Sequence, residues 1–410
     1  MSVLLRRVTI QNYKSIAKCR VDLGSLSLLV GPNGSGKSNF LDAIRLISDG
    51  LETSLEHAIR QRGGIQDVRR RSSGHPTHFA IGLRIKLLNS GNASFAFKVG
   101  AYADGEFRVQ HEQAAISCPE YEASYEVYNG ELTKFEVREE SALSTNEILH
   151  TPAKILPDRL LLAALASRPA FRPLFDALSG MGFYNINPVL IREPQPHHSG
   201  EKLQRDGGNI ASVIKRLEVD DSKALERIQD YVRRIVPGLD SVHYKALGPR
   251  ETLEFRQAVP GAKHPWRFYA ANMSDGTLRS LGVLTALFQS KNRRNKSVPL
   301  VAIEEPESTI HPGAAGIVMD ALLEASQNSQ VLVTTHSPDL LDHDAIEDAQ
   351  ILAVKNVDGE TIIAPTDQAS LSAIKDRLAT AGELLRKNQL QPDEKQKPGP
   401  IKDSDLFERV

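Results

Sequence analysis

The sequence GPNGSGKS at residues 31–38 carries the clearest chemistry of the chain, since it follows an apolar run and precedes a segment of helical periodicity. Its pattern of glycine, four residues, glycine, lysine and serine is that of a phosphate-binding loop. Glycines let the backbone bend around an anion, so that amide N–H groups and the positive end of the next helix face its oxygens. Lys37 is expected at the outer phosphates and Ser38 at a Mg²⁺ ion. The residues predicted to surround the phosphates are Gly31, Asn33, Gly34, Ser35, Gly36, Lys37, Ser38 and Asn39.

Acidic residues and a histidine follow two later apolar runs. In PLVAIEEPE, Glu304 and Glu305 come directly after residues 300–303, and in VLVTTHSP, His336 comes after residues 331–335. Carboxylates at the end of a buried strand suit a hard cation, and a neighbouring carboxylate can orient an attacking water. Ligands of α/β sheets also bind at the carboxyl ends of strands. A solvated acidic turn and a structural histidine are the alternatives when each stretch is taken alone.

A third stretch, FYAANMSDGTLRSLG, places Ser274 and Gly276 at the start of a predicted helix. A serine cap followed by glycine makes a second helix terminus that can bind an anion. Serine is also among the commonest helix caps, so an ordinary N-cap is the alternative for this stretch alone.

Strand and helix signals alternate at both ends of the chain and change character between them. A strand at residues 26–30 and a helix at 38–47 form one βα unit, preceded by a strand at 3–10. Short alternating runs at 77–137 predict an antiparallel sheet, and helical periodicity marks 158–181 and 209–236. The α/β pattern returns later as a helix at 275–289, a strand at 300–303, a helix after Pro312 and a strand at 331–335.

These elements predict an α/β nucleotide-binding core that is split in sequence. The predicted segments are 1–64 (first part of the core, with the loop), 65–140 (a β-rich lobe), 141–266 (a helical or mixed insertion), 267–385 (second part of the core) and 386–410 (a polar, proline-bearing, mobile tail).

Length and composition narrow the class of protein. At 410 residues the chain is long enough for about two or three domains. Its net charge of −1 gives no global field that would attract nucleic acid or an anionic membrane. Cys19 and Cys118 lack the paired spacing of a disulfide framework or a zinc site. Because the sequence shows neither a signal-peptide pattern nor an apolar stretch of about eighteen residues, we expect a soluble cytoplasmic protein with no membrane partner.

Taken in order, these segments resemble the ATP-binding-cassette ATPase head of the RecF/SMC-like branch, which includes AAA family ATPases related to the overcoming-lysogenization-defect proteins. GPNGSGKS resembles the Walker A motif, MSDGT the signature motif, IEEPE the Walker B motif with its catalytic glutamate, STIHP the D-loop and TTHS the switch histidine. VTIQNYKSI resembles the opening strand of this branch, which implies that Lys14 lies near the nucleotide. The resemblance implies an ABC-ATPase head, a P-loop NTPase fold, with an inserted β-rich lobe and a helical lobe.

The sequence departs from the family pattern in two places and is ambiguous in a third. Glu304 stands where the family has the Walker B aspartate, so metal coordination would use a longer side chain. The signature reads Ser-Asp-Gly, which puts the carboxylate of Asp275 close to where a partner's γ-phosphate would dock. The Q-loop glutamine is either Gln61 or Gln66, with Gln61 preferred.

The resemblance implies an ATPase that works as a homodimer. ATP on the loop of one copy would be capped by Ser274 and Gly276 of a second copy, with Mg²⁺ held by Ser38 and Glu304. Glu305 would act as general base and His336 would contact the γ-phosphate. The resulting conformational change would serve DNA-related work, in repair or anti-phage defence, by driving a separate effector protein such as a nuclease.

Two other functions fit the sequence less well, and two basic segments are candidate contacts for nucleic acid. A transporter-type energy module is disfavoured by the extended first strand and the large insertion. A self-contained nuclease-ATPase would need its nuclease domain after His336, where about seventy residues remain, fewer than a typical domain has. Residues 60–71 and 291–296 are basic and could contact DNA or RNA phosphates, although charge runs are usually solvated loops.

Overall fold

The computed structural model describes residues 5–72, 74, 76–87, 91–102, 105–139, 155–156, 158–289, 298–346 and 351–407. The chain forms two compact units, and the predicted basic segment at 291–296 lies outside the described residues. The first unit comprises residues 1–181, 348–372 and 390–410, and the second comprises 182–347 and 373–389. Each unit therefore contains segments that are distant in sequence.

A seven-stranded antiparallel sheet forms much of the first unit, with the strand order β2-β1-β4-β5-β6-β7-β8. It confirms the antiparallel sheet predicted at 77–137, but it also includes the first two strands of the chain, so residue 64 is not a boundary of the sheet. Aromatic rings of Tyr13, Phe79 and Phe97 pack edge to face on it. The strands are β1 (Leu5–Tyr13), β2 (Ile16–Asp22), β4 (His78–Lys86), β5 (Asn92–Ala101), β6 (Phe107–Ser117), β7 (Tyr121–Tyr128) and β8 (Glu131–Glu139).

Three more strands of the first unit lie beside the phosphate-binding loop, and one of them runs into it. Strand β3 (Leu26–Val30) is buried along its whole length and runs directly into the loop, as its apolar sequence predicts. It pairs in parallel with β16 (Ile351–Val357), which turns back into the antiparallel β17 (Glu360–Pro365). Helix α1 (Lys37–Glu52) follows the loop and begins one residue earlier than predicted.

The remaining helices of the first unit are short, and the last one differs from the prediction of a mobile tail. Helix α14 (Asp403–Leu406) packs on the seven-stranded sheet, where Leu406 is buried and the Phe407 ring stacks on His111. Asp403 and Asp405 face Lys98 and Arg20 at 3.3 Å and 3.1 Å. The helices are α2 (Leu55–Arg60), α3 (Ile65–Val68), α4 (Leu161–Leu165), α5 (Arg172–Ser179), α12 (Gln368–Lys375), which runs across the boundary of the two units, and α14 (Asp403–Leu406).

In the second unit, strand β14 (Leu300–Glu304) pairs in parallel with β15 (Gln330–Thr335) and with β9 (Gly182–Tyr184). Both longer strands lie where the sequence predicts them. A separate antiparallel sheet has the order β10-β12-β11, with β13 paired to β12. Its strands are β10 (Gln195–Pro196), β11 (Leu239–Leu247), β12 (Arg250–Gln257) and β13 (Trp266–Tyr269).

The helix predicted at 209–236 is two helices in the structure. Asp221 adopts φ −154° between them, and its side chain accepts a hydrogen bond from Ala224 N at 3.1 Å, which starts the second helix. The helices of this unit are α6 (Pro188–Arg192), α7 (Ile210–Asp220), α8 (Ser222–Ile235), α9 (Asp275–Phe288), α10 (Ala315–Ala325), α11 (Pro338–Leu341) and α13 (Ala381–Arg386). Among the helices described in the chain, none is long and apolar enough to cross a lipid bilayer.

Candidate nucleotide site

The phosphate-binding loop is shaped by glycines that tolerate no side chain. A Cβ on Gly31 would lie 2.1 Å from the Val354 carbonyl oxygen, and one on Gly36 would lie 2.0 Å from Thr361 Oγ1. Gly34 and Gly36 have φ of 77° and 103°, in the left-handed region that glycine favours. No side chain caps the amino end of α1, so the loop and helix start have the form of an anion cradle.

The polar side chains of the loop are arranged around its own backbone. Lys37 is buried, and its Nζ donates to the carbonyl oxygens of Gly31 at 2.7 Å and Pro32 at 3.0 Å. The buried hydroxyl of Ser35 has no hydrogen-bond partner within the described part of the chain, while Asn33 and Ser38 are exposed. A phosphate group with oxygens at this loop would fit both the curled lysine and the unpaired hydroxyl.

Hydrogen bonds from a residue on β17 support the backbone of the loop. Thr361, on β17, is fully buried and its Oγ1 donates to the Ser35 carbonyl oxygen at 2.9 Å. The same Oγ1 lies 2.7 Å from Ser15 Oγ, which accepts from Asn39 Nδ2 at 2.6 Å. The loop conformation therefore depends on a side chain more than three hundred positions away, which the sequence motif does not include.

We expect Thr361→Val to weaken ATP binding by about tenfold, because it leaves the Ser35 carbonyl without its partner at a cost of roughly 1–3 kcal/mol. Valine keeps the shape of threonine, so the fold should be retained and the thermal midpoint should fall by only a few degrees. Equilibrium binding of a fluorescent ATP analogue measures the effect. Thr366→Val is the matched control, since Thr366 is equally buried and its hydroxyl has no partner in the described region. Equal affinity in wild type and Thr361→Val would contradict the supporting role.

Lys14, predicted to lie near the nucleotide, forms an ion pair with the loop helix. Its Nζ lies 2.6 Å from Asp42 Oδ2, and its backbone has φ 45°. Asp42 is also contacted by Arg45 at 2.7 Å and by the buried Arg62 at 3.0 Å. Burial alone would raise the pKa of Asp42, but Arg62 and Lys14 beside it lower that pKa to about 2. A contact of Lys14 with nucleotide stays a prediction.

The arginines of the basic run at residues 60–71 have intramolecular partners, so this run differs from a free phosphate-binding surface. Arg62 bridges Asp42 and Asp49, and Arg70 donates to the carbonyl oxygens of Ser15 and Gly359. Pairs on the exposed side are Arg60 with Glu56, Arg69 with Gln66 and Arg71 with Asp67.

Both candidate Q-loop glutamines are exposed and hydrogen-bonded locally. Gln61 Nε2 lies 2.9 Å from His57 Nε2, and Gln66 Oε1 accepts from Arg69 Nη2 at 2.8 Å. The role of either glutamine at the nucleotide stays a prediction.

In the second unit, Glu304, Glu305 and His336 meet at the carboxyl ends of β14 and β15. Glu305 Oε1 lies 3.1 Å from His336 Nδ1, and Glu305 N donates to the Thr334 carbonyl oxygen at 2.9 Å. Glu305 has φ 47°, a left-handed backbone that costs a non-glycine residue free energy and is common at functional sites. The carboxylate and imidazole that the sequence predicted from separate stretches are therefore hydrogen-bond neighbours.

Arg279 holds the backbone of this acidic turn. Its Nη2 donates to the carbonyl oxygens of Glu304 at 3.1 Å and Glu305 at 3.0 Å, and its Nη1 donates to that of Ile186 at 2.5 Å. Burial lowers the pKa of Arg279, while the nearby Glu305 and Glu307 act in the opposite direction. Sequence reasoning missed this residue, although an arginine within the apolar run of α9 was a usable signal.

Two further carboxylates of the turn have defined partners. Glu304 accepts from Arg205 Nη2 at 2.9 Å, so its longer side chain is already paired with a cation. Glu307 is buried, and its Oε1 accepts from Thr335 Oγ1 at 2.5 Å. Burial raises the pKa of Glu307. Both Arg205 and Glu307 were missed because their partners are distant in sequence.

The signature segment forms a regular helix start with an additional ion pair. Ser274 caps α9 by accepting from Thr277 N at 3.2 Å. The Asp275 carboxylate binds Arg192, which also donates to the Met273 carbonyl oxygen at 3.1 Å. This ion pair offsets the negative charge of Asp275.

Gly276 is packed against the backbone of Thr309. A Cβ at Gly276 would lie 2.6 Å from the Thr309 carbonyl oxygen, and Thr309 itself has φ 65°. The close backbone approach requires glycine at this position.

Comparison with known proteins agrees with the fold and the motifs. A family described as "AAA ATPase domain" matches residues 4–137, and one described as "AAA domain, putative AbiEii toxin, Type IV TA system" matches residues 170–342. The Old nuclease of Escherichia phage P2 is 23% identical over 363 residues, and the OLD nuclease of Thermus scotoductus is 22% identical over 400 residues. The alignments cover 83% and 92% of this chain but 58% and 68% of the two nucleases.

A solved structure shows the same fold. The chain matches an SMC head, solved in a complex with the C-winged helix domain of ScpA, with a TM-score of 0.52 and 14% identity. The match covers 88% of this chain and 98% of the head, which confirms the predicted P-loop ATPase head fold. Together with the motif order, these matches show an ATP-hydrolysing enzyme and support its similarity to the ABC-type ATPases of the RecF/SMC-like branch.

Proposed function

We propose that this ATPase dimerises on Mg²⁺-ATP and acts as a conformational switch for DNA-related work. The observation that carries the hydrolytic part is the 3.1 Å contact between Glu305 and His336 on a backbone that Arg279 holds in the left-handed region. A carboxylate that is oriented in this way can accept a proton from an attacking water. Such orientation is expected of a catalytic base and is costly for a merely solvated turn.

In the proposed reaction, each residue has one task. Lys37 leaves the carbonyl oxygens of Gly31 and Pro32 and binds the outer phosphate oxygens. Glu305 accepts the proton of the attacking water, and His336 contacts the γ-phosphate. Arg279 keeps the Glu305 backbone in place, so the base needs no reorganisation when charge develops.

The metal ion would be held by oxygen donors. The exposed Ser38 hydroxyl and the Glu304 carboxylate are the hard oxygen ligands that Mg²⁺ prefers. A bound Mg²⁺ would offset phosphate charge during transfer. Within the part of the chain that the structure describes, no cluster of three or more His, Cys, Asp and Glu residues forms a separate metal site.

The proposed dimer places Ser274 and Gly276 of one copy on the ATP of the other. The Arg192–Asp275 ion pair supports this arrangement, since it reduces the repulsion between Asp275 and a partner's γ-phosphate. Helix α9 then presents its amino end to the phosphate.

We expect ATP with Mg²⁺ to convert the Glu305→Gln protein from monomer to dimer, and Ser274→Arg to block that conversion by adding bulk at the interface. Light scattering after size-exclusion chromatography measures the mass. ATP affinity of the Ser274→Arg monomer should stay within about twofold of wild type. Ser222→Arg, at the exposed start of α8, is the matched control. A monomer with ATP in every variant would contradict the dimer proposal.

The downstream task is proposed from the relatives. Two relatives carry the name nuclease, and the chain spans 58% and 68% of their lengths. We propose that hydrolysis in this chain drives or regulates an effector with nuclease chemistry, in DNA repair or anti-phage defence. Isolation of the Glu305→Gln dimer together with its bound proteins tests this part.

A further inference from the structure

Strand β13 presents aromatic and basic side chains at the edge of its sheet. It pairs with β12, and no strand of the described residues covers its other edge. Trp266 is 56% exposed and Tyr269 is 40% exposed, while the Arg267 side chain is 67% exposed. Large aromatic side chains that are exposed together on an edge strand often mark an interaction surface.

The charge around β13 is unbalanced. Arg256 and Arg267 are direct cross-strand partners, and like charges in that position destabilise a sheet. They share one carboxylate, Glu254, whose Oε1 lies 3.3 Å from Arg256 Nε and 3.9 Å from Arg267 Nε. The sequence from 255 to 274 contains no Asp or Glu, but it adds Lys263. An anion from outside the chain would therefore stabilise this surface.

We propose that β13 and the loop before it bind single-stranded nucleic acid. Side chains alternate along a strand, so Tyr269 lies on the face of Arg256 and Arg267, and Trp266 lies on the opposite face. A nucleic-acid strand that crosses the exposed edge of β13 would stack one base on Tyr269 and another on Trp266, with its phosphates against Arg256, Arg267 and Lys263. Aromatic platforms next to cations are the means by which proteins hold single strands, whereas the bases of a duplex are stacked on each other and offer no free face.

The surface is close in sequence to the signature segment. Strand β13 ends at Tyr269, and α9 begins at Asp275 after the Ser274 cap. A bound strand would thus lie next to the short segment that leads into the element proposed to meet the partner's ATP. The inference extends the proposed DNA-related function, but binding itself requires neither nucleotide nor a dimer.

Trp266 is the single tryptophan of the chain, so its fluorescence reports on this surface alone. We expect a single-stranded oligonucleotide of about 16 nucleotides to quench it saturably without ATP, and added salt to weaken binding steeply. Anisotropy of a labelled oligonucleotide gives the affinity. Trp266→Ala and Arg267→Glu should each weaken binding by at least about tenfold, whereas Trp266→Phe should retain it because phenylalanine still stacks.

The charge-matched control is Lys223→Glu, an exposed cation on α8 outside the sheet, which should bind within about twofold of wild type. Thermal unfolding checks that each variant is folded. If the wild-type protein binds the oligonucleotide but hydrolyses no ATP, the proposed enzyme mechanism is wrong and this inference still stands.

Three results would overturn the inference. The first is no oligonucleotide binding by folded protein at low salt. The second is binding that neither quenches Trp266 nor responds to Arg267→Glu. The third is a Trp266 signal that needs Mg²⁺-ATP and rises with protein concentration but not with oligonucleotide, which would assign the surface to a second copy of the chain.

Discussion

Glu305→Gln is expected to lower steady-state ATP hydrolysis by at least about 100-fold, since proton transfer by a positioned base contributes on the order of 10²–10⁴ to such rates. The amide has the size of the carboxylate and can still orient water, but it accepts no proton. ATP affinity should therefore stay near the wild-type value. Phosphate release measures the rate, and binding of a fluorescent ATP analogue measures the affinity.

Two variants make this prediction discriminating. Lys37→Ala should lose ATP binding as well as hydrolysis, because it deletes the cation expected at the outer phosphates. Glu304→Gln should raise the Mg²⁺ concentration needed for activity, because Glu304 is the proposed metal ligand. If Glu305→Gln hydrolyses ATP at the wild-type rate, another residue is the base. A loss of hydrolysis in Glu304→Gln would then identify Glu304 as that base.

The sequence predicts the parts of the fold that depend on local pattern. The apolar run of β3, the glycine-rich loop and α1 follow one another as expected, because short-range turn chemistry and periodicity decide them. The antiparallel strands β4 to β8 are predictable from alternation and turn residues for the same reason. Asp221 shows where local pattern fails as a predictor. The sequence predicts it inside one long helix, but in the structure it caps the second of two helices.

The supporting contacts of the site could not be predicted, because they join residues far apart in the chain. Thr361 reaches Ser35, Arg205 reaches Glu304 and Arg192 reaches Asp275 only after the fold has formed. A motif specifies which side chains meet the ligand, whereas packing selects the side chains that hold them. The positive φ of Glu305 is likewise a product of tertiary contacts, since glutamate has no preference for that conformation.

The ion cluster on α1 also emerges only from the structure. Asp42 lies at its centre, 12% exposed, with Tyr13 Oη at 2.7 Å and three cations around it. Arg62 is 3% exposed and also binds Asp49 at 2.7 Å. The cluster connects β1, α1 and the segment after α2, so it fixes the position of Lys14 relative to the loop helix.

Asp42→Asn is expected to lower the free energy of unfolding by about 3–5 kcal/mol at pH 7, because it leaves the buried Arg62 without its main counter-charge. Urea denaturation, followed by circular dichroism, measures the loss. The matched control is Asp22→Asn, which removes a carboxylate of the exposed Arg7–Asp22 pair and should cost less than about 1 kcal/mol. Equal stability of the two variants would show that the cluster contributes no more than a surface ion pair.

The pH dependence gives an independent test of the same cluster. The pKa of Asp42 falls from an ordinary 3.8 to about 2 in the folded chain, so its stabilising charge is present above about pH 4 and is lost as pH falls through 2. The shift corresponds to roughly 2 kcal/mol of linkage free energy. The difference in stability between wild type and Asp42→Asn should therefore be constant from pH 7 to about pH 4 and shrink below it, because protonated Asp42 resembles asparagine in charge. A difference that persists unchanged at pH 3 would mean that the amide acts by disturbing packing, and the cations would then stabilise the cluster less than their distances imply.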